Sequence, residues 1–480
     1  MFDINWLNLI YWIIPLIISI LLIINNVQIV KLVSLIGSFF LLILGNFLWL
    51  GFNPLEIDYQ YEFLLINNKL FTFHLGIDGI SLFFVLLTLF LLPICLLASW
   101  SSVTVYVREF NILFYITIFL LINVFCVLDL LIFYVVYESI LIPMFLIIGI
   151  WGSRDRKIHA AYQFFLYTLF GSVVMLLALV YIYVKIGSLH ITNTGICDYT
   201  LIEGRLLWMA FFASFAVKVP MIPLHIWLPE AHVEAPTAGS VLLAGILLKM
   251  GVYGMLRFSL PMFPEATIYY QPVVFLFSII SIVYGAITTL RQTDLKKVIA
   301  YSSVVHMNYI TIGVLSDNIY GIEGAIFLMI SHGLVSSALF LCIGFLYERY
   351  HTRVLLYYGG LVTIMPVFSI AFFILVLANV SLPGTSSFIG EFLIFIGMHV
   401  HSTSVIFCGV IGILLGTAFT ILLFNRIIFG VGNIEYAVMD LNKREFFVIF
   451  FCIFLSILFG IFPNLILEML HTSVLVLLLA

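Results

Sequence analysis

The chain has 480 residues, 64% hydrophobic and only 9% charged, with a net charge of −4 and a mean hydropathy of +1.25. A soluble domain carries about 25% charged residues, so most of this chain belongs in lipid, where stretches of about 20 apolar residues span as helices. The thin charge makes no case for nucleic acid as a partner. Neither GxGxxG nor GxxxxGKS/T occurs, so no nucleotide site is signalled. Cys95, Cys126, Cys197, Cys342, Cys408 and Cys452 are scattered without a CxxC. That spacing argues against zinc, an iron–sulfur cluster or a disulfide framework.

Hydropathy predicts an all-α polytopic membrane protein of about fourteen helices in one domain covering residues 1–480. In chain order the expected spans are roughly 5–24, 31–51, 80–100, 110–128, 130–149, 162–184 and 206–228. They continue at roughly 237–257, 272–290, 298–315, 321–346, 361–398 with a break near Pro383, 404–428 and 446–470. The first lacks a basic leader and a small-residue cleavage site, so it reads as a spanning helix and not a removed signal. The polar connection 52–79 has room for a short hairpin. Phe (47) and Tyr (24) are abundant, with Ile and Asn. All four have AT-rich codons, which points to an organellar gene, although membrane composition alone also enriches the apolar ones.

The basic residues orient this arrangement. With the N-terminus on one side, the opposite loops hold Lys31, Arg108, Arg154, Arg156, Lys157, Arg291, Lys296, Lys297, Arg349, Arg353, Arg426, Lys443 and Arg444. The N-terminal side holds Lys69, Lys185, Arg205 and Arg257. That is 13 against 4 of the 19 Lys and Arg. The positive-inside rule makes the richer side the cytoplasm or mitochondrial matrix.

The two remaining cations, Lys218 and Lys249, fall near the middle of their spans, while every arginine lies in a loop or at a helix end. An arginine keeps its proton, whereas a lysine out of water can give it up. Glu138 and Glu391 are the matching acids, and His306 and His332 also lie within spans. A charge at mid-membrane costs about 2.5–3.5 kcal/mol, so four of them point to a row of titrating sites. Ion pairs that pin helices together are the alternative, and each histidine alone fits packing nearly as well as proton handling.

The stretch FAVKVPMIPLHIWLPEAHVEAP, 215–236, breaks its own helix beside a lysine. Pro220 cannot bond the carbonyl of Ala216, nor Pro223 that of Val219. Broken backbone at membrane depth is tolerated where it meets protein or water, so a hydrated pocket beside Lys218 is expected. Lys218, His225 and His232 are spaced by seven and would share a face on a continuous helix, with Glu230 and Glu234 near the mouth. A second break lies at VSLPGTSSFIGEF, 380–392, just before Glu391. The two breaks fall in helices 7 and 12. That offset points to inverted repeats of helices 4–8 and 9–13, with halves at about 110–257 and 272–428, and paired broken helices are a transporter signature.

The stretches LGIDGISLFF (75–84), ESILIPMFLIIGIWG (138–152) and HIWLPEAHVEAPTAGSVLLAGILLKMGVYG (225–254) resemble one family. So do LRQTDLKKVIAYSSVVHMN (290–308), SHGLVSSALFL (331–341) and LPGTSSFIGEF (382–392). That family is the proton-translocating, antiporter-like membrane subunits of mitochondrial respiratory complex I. Two features set the chain apart from the related chains 2 and 5. An acid, Glu391, stands in the twelfth helix where chain 2 would carry a lysine, and the long lateral C-terminal helix of chain 5 is not expected.

The resemblance implies a subunit of an H+-translocating NADH:ubiquinone reductase that performs no redox chemistry itself. NADH, FMN, iron–sulfur clusters and ubiquinone would lie in other subunits. The implied partners are the lipid bilayer and other membrane subunits of the complex, chains 2 and 5 included. The location would be the mitochondrial inner membrane, with both termini on the intermembrane-space side. Glu138 and Lys218 would form the glutamate–lysine pair, Lys249 would be the central lysine, and His332 and His306 would belong to the hydrated axis. Glu391 would be the terminal group toward the intermembrane space, with His225 and His232 beside the broken helix. A subunit of a multi-subunit cation/proton antiporter and a structural or haem-bearing membrane anchor are the rival readings.

Overall fold

Lipid offers no partner to a backbone N–H or C=O, so long apolar runs must fold as helices. The computed structural model describes residues 5–68, 71–195, 199–430 and 439–479; Lys69 and Cys197 lie outside these. Among the described residues, eleven helices are long and apolar enough to cross a membrane.

The chain clusters into two compact units. The first comprises Met1–Lys218, Lys249–Gln271 and Glu468–Ala480. It opens with α1 (Trp6–Ile23) and α2 (Val27–Leu50), each started by an asparagine side chain, Asn5 or Asn26, that accepts a backbone N–H of the first turn. An antiparallel hairpin follows, β1 (Gln60–Asn67) and β2 (Thr72–Ile77), inside the connection where one was expected. Bridges Leu75↔Val127 and Asp129↔His190 join β2, the start of the next helices and the segment after them. Asp78 and Ser81 form a capping box at the start of α3 (Gly79–Ser102). Then come α4 (Val107–Cys126), α5 (Leu130–Trp151, interrupted at Ile140), α6 (Lys157–Ile186) and α7 (Leu201–Lys218). Asp129 caps α5, and its other carboxylate oxygen accepts from the N–H and hydroxyl of Thr72 at 3.0 and 3.1 Å. The hairpin is thereby tied to the start of the helix that carries Glu138.

The second unit comprises Val219–Leu248 and Pro272–Leu467. It holds α8 (Trp227–Glu234) and the start of α9 (Thr237–Met262). Most of α10 (Pro264–Arg291) lies in it, with α11 (Leu295–Val314) and α12 (Ile319–Tyr350). Beyond these are α13 (Pro366–Asn379), α14 (Ser386–His399), α15 (Thr403–Ile428) and α16 (Lys443–Ile461). The spanning windows of α9 and α12 are wholly buried. α12 and α14 approach backbone to backbone through glycines. A Cβ on Gly324 would stand 2.8 Å from the N of Ile394, and one on Gly390 2.8 Å from the N of Leu328. Small residues permit such contact between membrane helices.

The seventh and twelfth expected spans are each divided into shorter helices, at the breaks expected from Pro220, Pro223 and Pro383, and α11 is not among the eleven long apolar helices. Other expectations are corrected. The last span, expected over 446–470, ends at Ile461, and a separate helix α17 (Asn464–Leu479) follows. Pro463 is the cause: it has no N–H to continue the helix and restrains Phe462 before it. Part of α17 belongs to the first unit, where Ser473 accepts the N–H of Gly79 at 3.0 Å and Thr472 donates to the carbonyl of Pro54 at 2.7 Å. Arg257, expected at the end of its span, is buried within α9. It is held there by two hydrogen bonds to Asp78, at 2.7 and 2.8 Å, a planar fork matched to a carboxylate.

Candidate functional site

Lys218 is not at the middle of a helix, as the hydropathy reading has it; it is the last residue of α7. The prolines explain this, since the carbonyls of Ala216 and Val219 lose their helical N–H partners. Residues 219–226 are non-helical, so the seven-residue spacing of Lys218, His225 and His232 does not define one face. The lysine ends 4% exposed, with its Nζ 3.9 Å from Oε1 of Glu138. It donates to the carbonyl of Tyr137 at 2.9 Å and stands over that tyrosine's ring. Glu138 sits two residues before the interruption of α5 at Ile140. Each member of the pair therefore stands next to a helix interruption. Tyr137 was missed in the sequence, where nothing distinguishes it from the many other aromatics.

Lys249 is fully buried in α9, between two π-helical stretches, Leu243–Leu247 and Met255–Ser259. Such wide turns recur at functional sites. Their signal in the sequence is faint, for the run LLAGILLKMGVYGMLRF reads as an ordinary apolar helix with three glycines.

The second unit gathers the other candidates into two groups. His306 of α11 and Glu391 of α14 meet at 3.2 Å between Nδ1 and Oε1, both nearly out of solvent, and the rings of His306 and His332 are 5.5 Å apart. Glu391 is brought there by the break at 380–385, after which Ser386 begins α14. His232, in α8, is fully buried and stacked on Phe340 at 4.7 Å, while Ser240 donates to its carbonyl. His225 lies in the turn before α8, edge-on to Tyr284 at 5.9 Å. Glu230 pairs with Lys297 at 2.9 Å, and Glu234 is buried. Sequence reading placed Lys296 and Arg353 in loops. Both are buried, and they donate to the carbonyls of Ala235 and Val233 at the end of α8, satisfying acceptors that a helix C-terminus leaves open. Asp294, which caps α11 just before Lys296, is the available signal. Among the described residues no group of three or more His, Cys, Asp or Glu is placed to hold a metal ion.

Buried acids, lysines and histidines in a polytopic helical fold that breaks beside Glu138, Lys218 and Glu391 define a membrane subunit of the antiporter-like class. The family described as NADH:quinone oxidoreductase/Mrp antiporter, transmembrane, matches residues 128–417. The NADH-ubiquinone oxidoreductase chain 4 of Marchantia polymorpha is 54% identical over 94% of this chain and 92% of its own length. That of Arabidopsis thaliana is 53% identical over the same shares. A chain of respiratory complex I from Thermus thermophilus with bound NADH superposes with a TM-score of 0.89 at 27% identity, covering 98% of this chain and 99% of that one. The chain belongs to the NADH-ubiquinone oxidoreductase chain 4 family.

Proposed function

We propose that this chain is a membrane-arm subunit of H+-translocating NADH:ubiquinone oxidoreductase and carries protons while electrons move in other subunits. The observation that carries the reading is the Glu138–Lys218 pair, a lysine and an acid 3.9 Å apart and each beside a helix interruption. Pairing with Glu138 keeps Lys218 charged, and loosening the pair favours release of its proton to water. Lys249 relays the proton, His332 and His306 line its way, and Glu391 discharges it. His225 and His232 serve the mouth of the broken helix. Interacting groups titrate jointly, so the row acts as one coupled system. The names of the chain 4 relatives favour this over a cation/proton antiporter. NADH, FMN, iron–sulfur clusters and ubiquinone belong to neighbouring subunits, and chains 2 and 5 are the proposed partners within the membrane. The breaks at 219–226 and 380–385 support the inverted repeats of helices 4–8 and 9–13 within one functional domain.

The test is the proton-to-electron ratio of the assembled complex in sealed vesicles. Glu138→Gln keeps the size of the side chain and removes its charge. It is expected to lower that ratio severalfold while the complex still assembles, and an unchanged ratio would return the pair to a structural role.

Orientation follows from the basic asymmetry of 13 against 4. Residues 153–159 and 291–297 face the matrix of a mitochondrial inner membrane, and the hairpin connection 52–79 and both termini face the intermembrane space. Impermeant labelling of cysteines introduced at these places reports the side directly. Labelling of 52–79 from the matrix would reverse the assignment.

A further inference from the structure

Away from the row of buried groups, two histidines meet in the first unit, at the hairpin. Nδ1 of His74, on β2, lies 3.2 Å from Nε2 of His190, in the segment after α6. Their rings are stacked, 5.5 Å between centroids. The outer nitrogens are also engaged. Nε2 of His74 is 3.5 Å from the carboxylate of Glu62 on β1, and Nδ1 of His190 is 2.9 Å from the hydroxyl of Thr192.

One tautomer of each ring suits all these contacts. An ionised carboxylate only accepts, so the approach of Glu62 to Nε2 of His74 suits a hydrogen there. Neutral His74 then presents a bare Nδ1, and only an N–H on His190 Nε2 makes a hydrogen bond of the gap. Neutral His190 in turn has a bare Nδ1, which accepts from Thr192. In that pair of tautomers the four groups form one directional chain. One further proton converts either imidazole to a cation that Glu62 balances. A second would set two cations 3.2 Å apart, so like-charge repulsion pushes its uptake to lower pH than the first. Glu62 from β1 and Asp129 from the α4–α5 connection are the charged groups that face the pair.

We infer that His74 and His190 form a proton-binding site that holds one shared proton and locks the hairpin to the start of α5. Its ligand is the proton itself. Glu62 occupies the far nitrogen of His74, so only two imidazoles face the gap, and the site is not built for a metal. Burial, and after it His74, hold His190 below the ordinary histidine value, while Asp129 and Glu62 pull the other way. The chain is anchored where it matters for shape: the backbone of His190 bridges Asp129, and the N–H of Leu128 donates to the carbonyl of His74. Which compartment supplies the proton rests on the orientation proposed above, but the existence of the pair does not.

The intact complex tests this by acylation with diethyl pyrocarbonate, which attacks neutral imidazole, followed by peptide mass spectrometry over about pH 5 to 8, the range in which histidine changes charge. A shared proton makes the two residues lose reactivity at midpoints separated by about one pH unit or more. In His74→Gln the His190 midpoint moves up toward about 6.5. Glu62→Gln, which removes the balancing charge without touching either ring, shifts both midpoints down. Two coincident midpoints that ignore the Glu62→Gln substitution would overturn the site. The readout is local titration, so it answers whether or not the complex pumps.

Discussion

Replacing Lys218 with arginine is expected to leave the complex assembled and to lower its proton-to-electron ratio at least severalfold. Arginine keeps the charge, reaches Glu138 and still stacks on Tyr137, so an anchoring role would survive the change. It cannot deprotonate, so a relay would not. Lys218→Met removes the cation and leaves Glu138 facing a buried gap, a loss of about 3–5 kcal/mol for a broken buried pair. Methionine is therefore expected to impair both assembly and pumping, and arginine pumping alone. The demand on the site is large, because each proton moved against about 100 mV needs about 2.3 kcal/mol. A partial block accordingly appears as a lower sustainable gradient as well as a lower rate. A near-normal ratio in assembled Lys218→Arg complex would make the lysine a packing residue.

Glu391→Gln is expected to have an effect of similar size at the other end of the row. Glutamine retains the shape and a hydrogen-bonding oxygen for His306, so α14 stays docked, but the group no longer binds and releases protons. The ratio should fall severalfold with little loss of assembly. Because Glu391 and His306 stand 3.2 Å apart, His306→Gln and Glu391→Gln should not add: the double substitution should pump about as poorly as the worse single one. Fully additive losses would mean that the two residues serve separate paths.

The helices were legible because hydropathy and proline positions are local signals, and the breaks before α8 and α14 were readable from Pro220, Pro223 and Pro383. The extra helix α17 was hidden because its apolar run continues that of α16 and only Pro463 divides them. Lys218 was found by its rarity in an apolar run, yet its place at the end of α7 needed the turn geometry that follows it. Arg257 and Asp78 lie 179 residues apart, and nothing in either neighbourhood announces the other. The same holds for His74 and His190, which are 116 residues apart and brought together only by the hairpin's bridges. Long-range pairing of this kind depends on tertiary folding, and neither period nor propensity encodes it.

The glycine contacts of α12 with α14 bear on the proton path proposed between His332 and Glu391. With Gly324 and Gly390 admitting the opposite backbone, there is no cushion of side chains to compress and no slack through which one helix slides past the other. Mechanically the two helices behave as a welded joint rather than a sprung one. Any displacement of the histidine against the acid larger than a side-chain rotation therefore has to be taken up in the unwound residues 380–385 next to them.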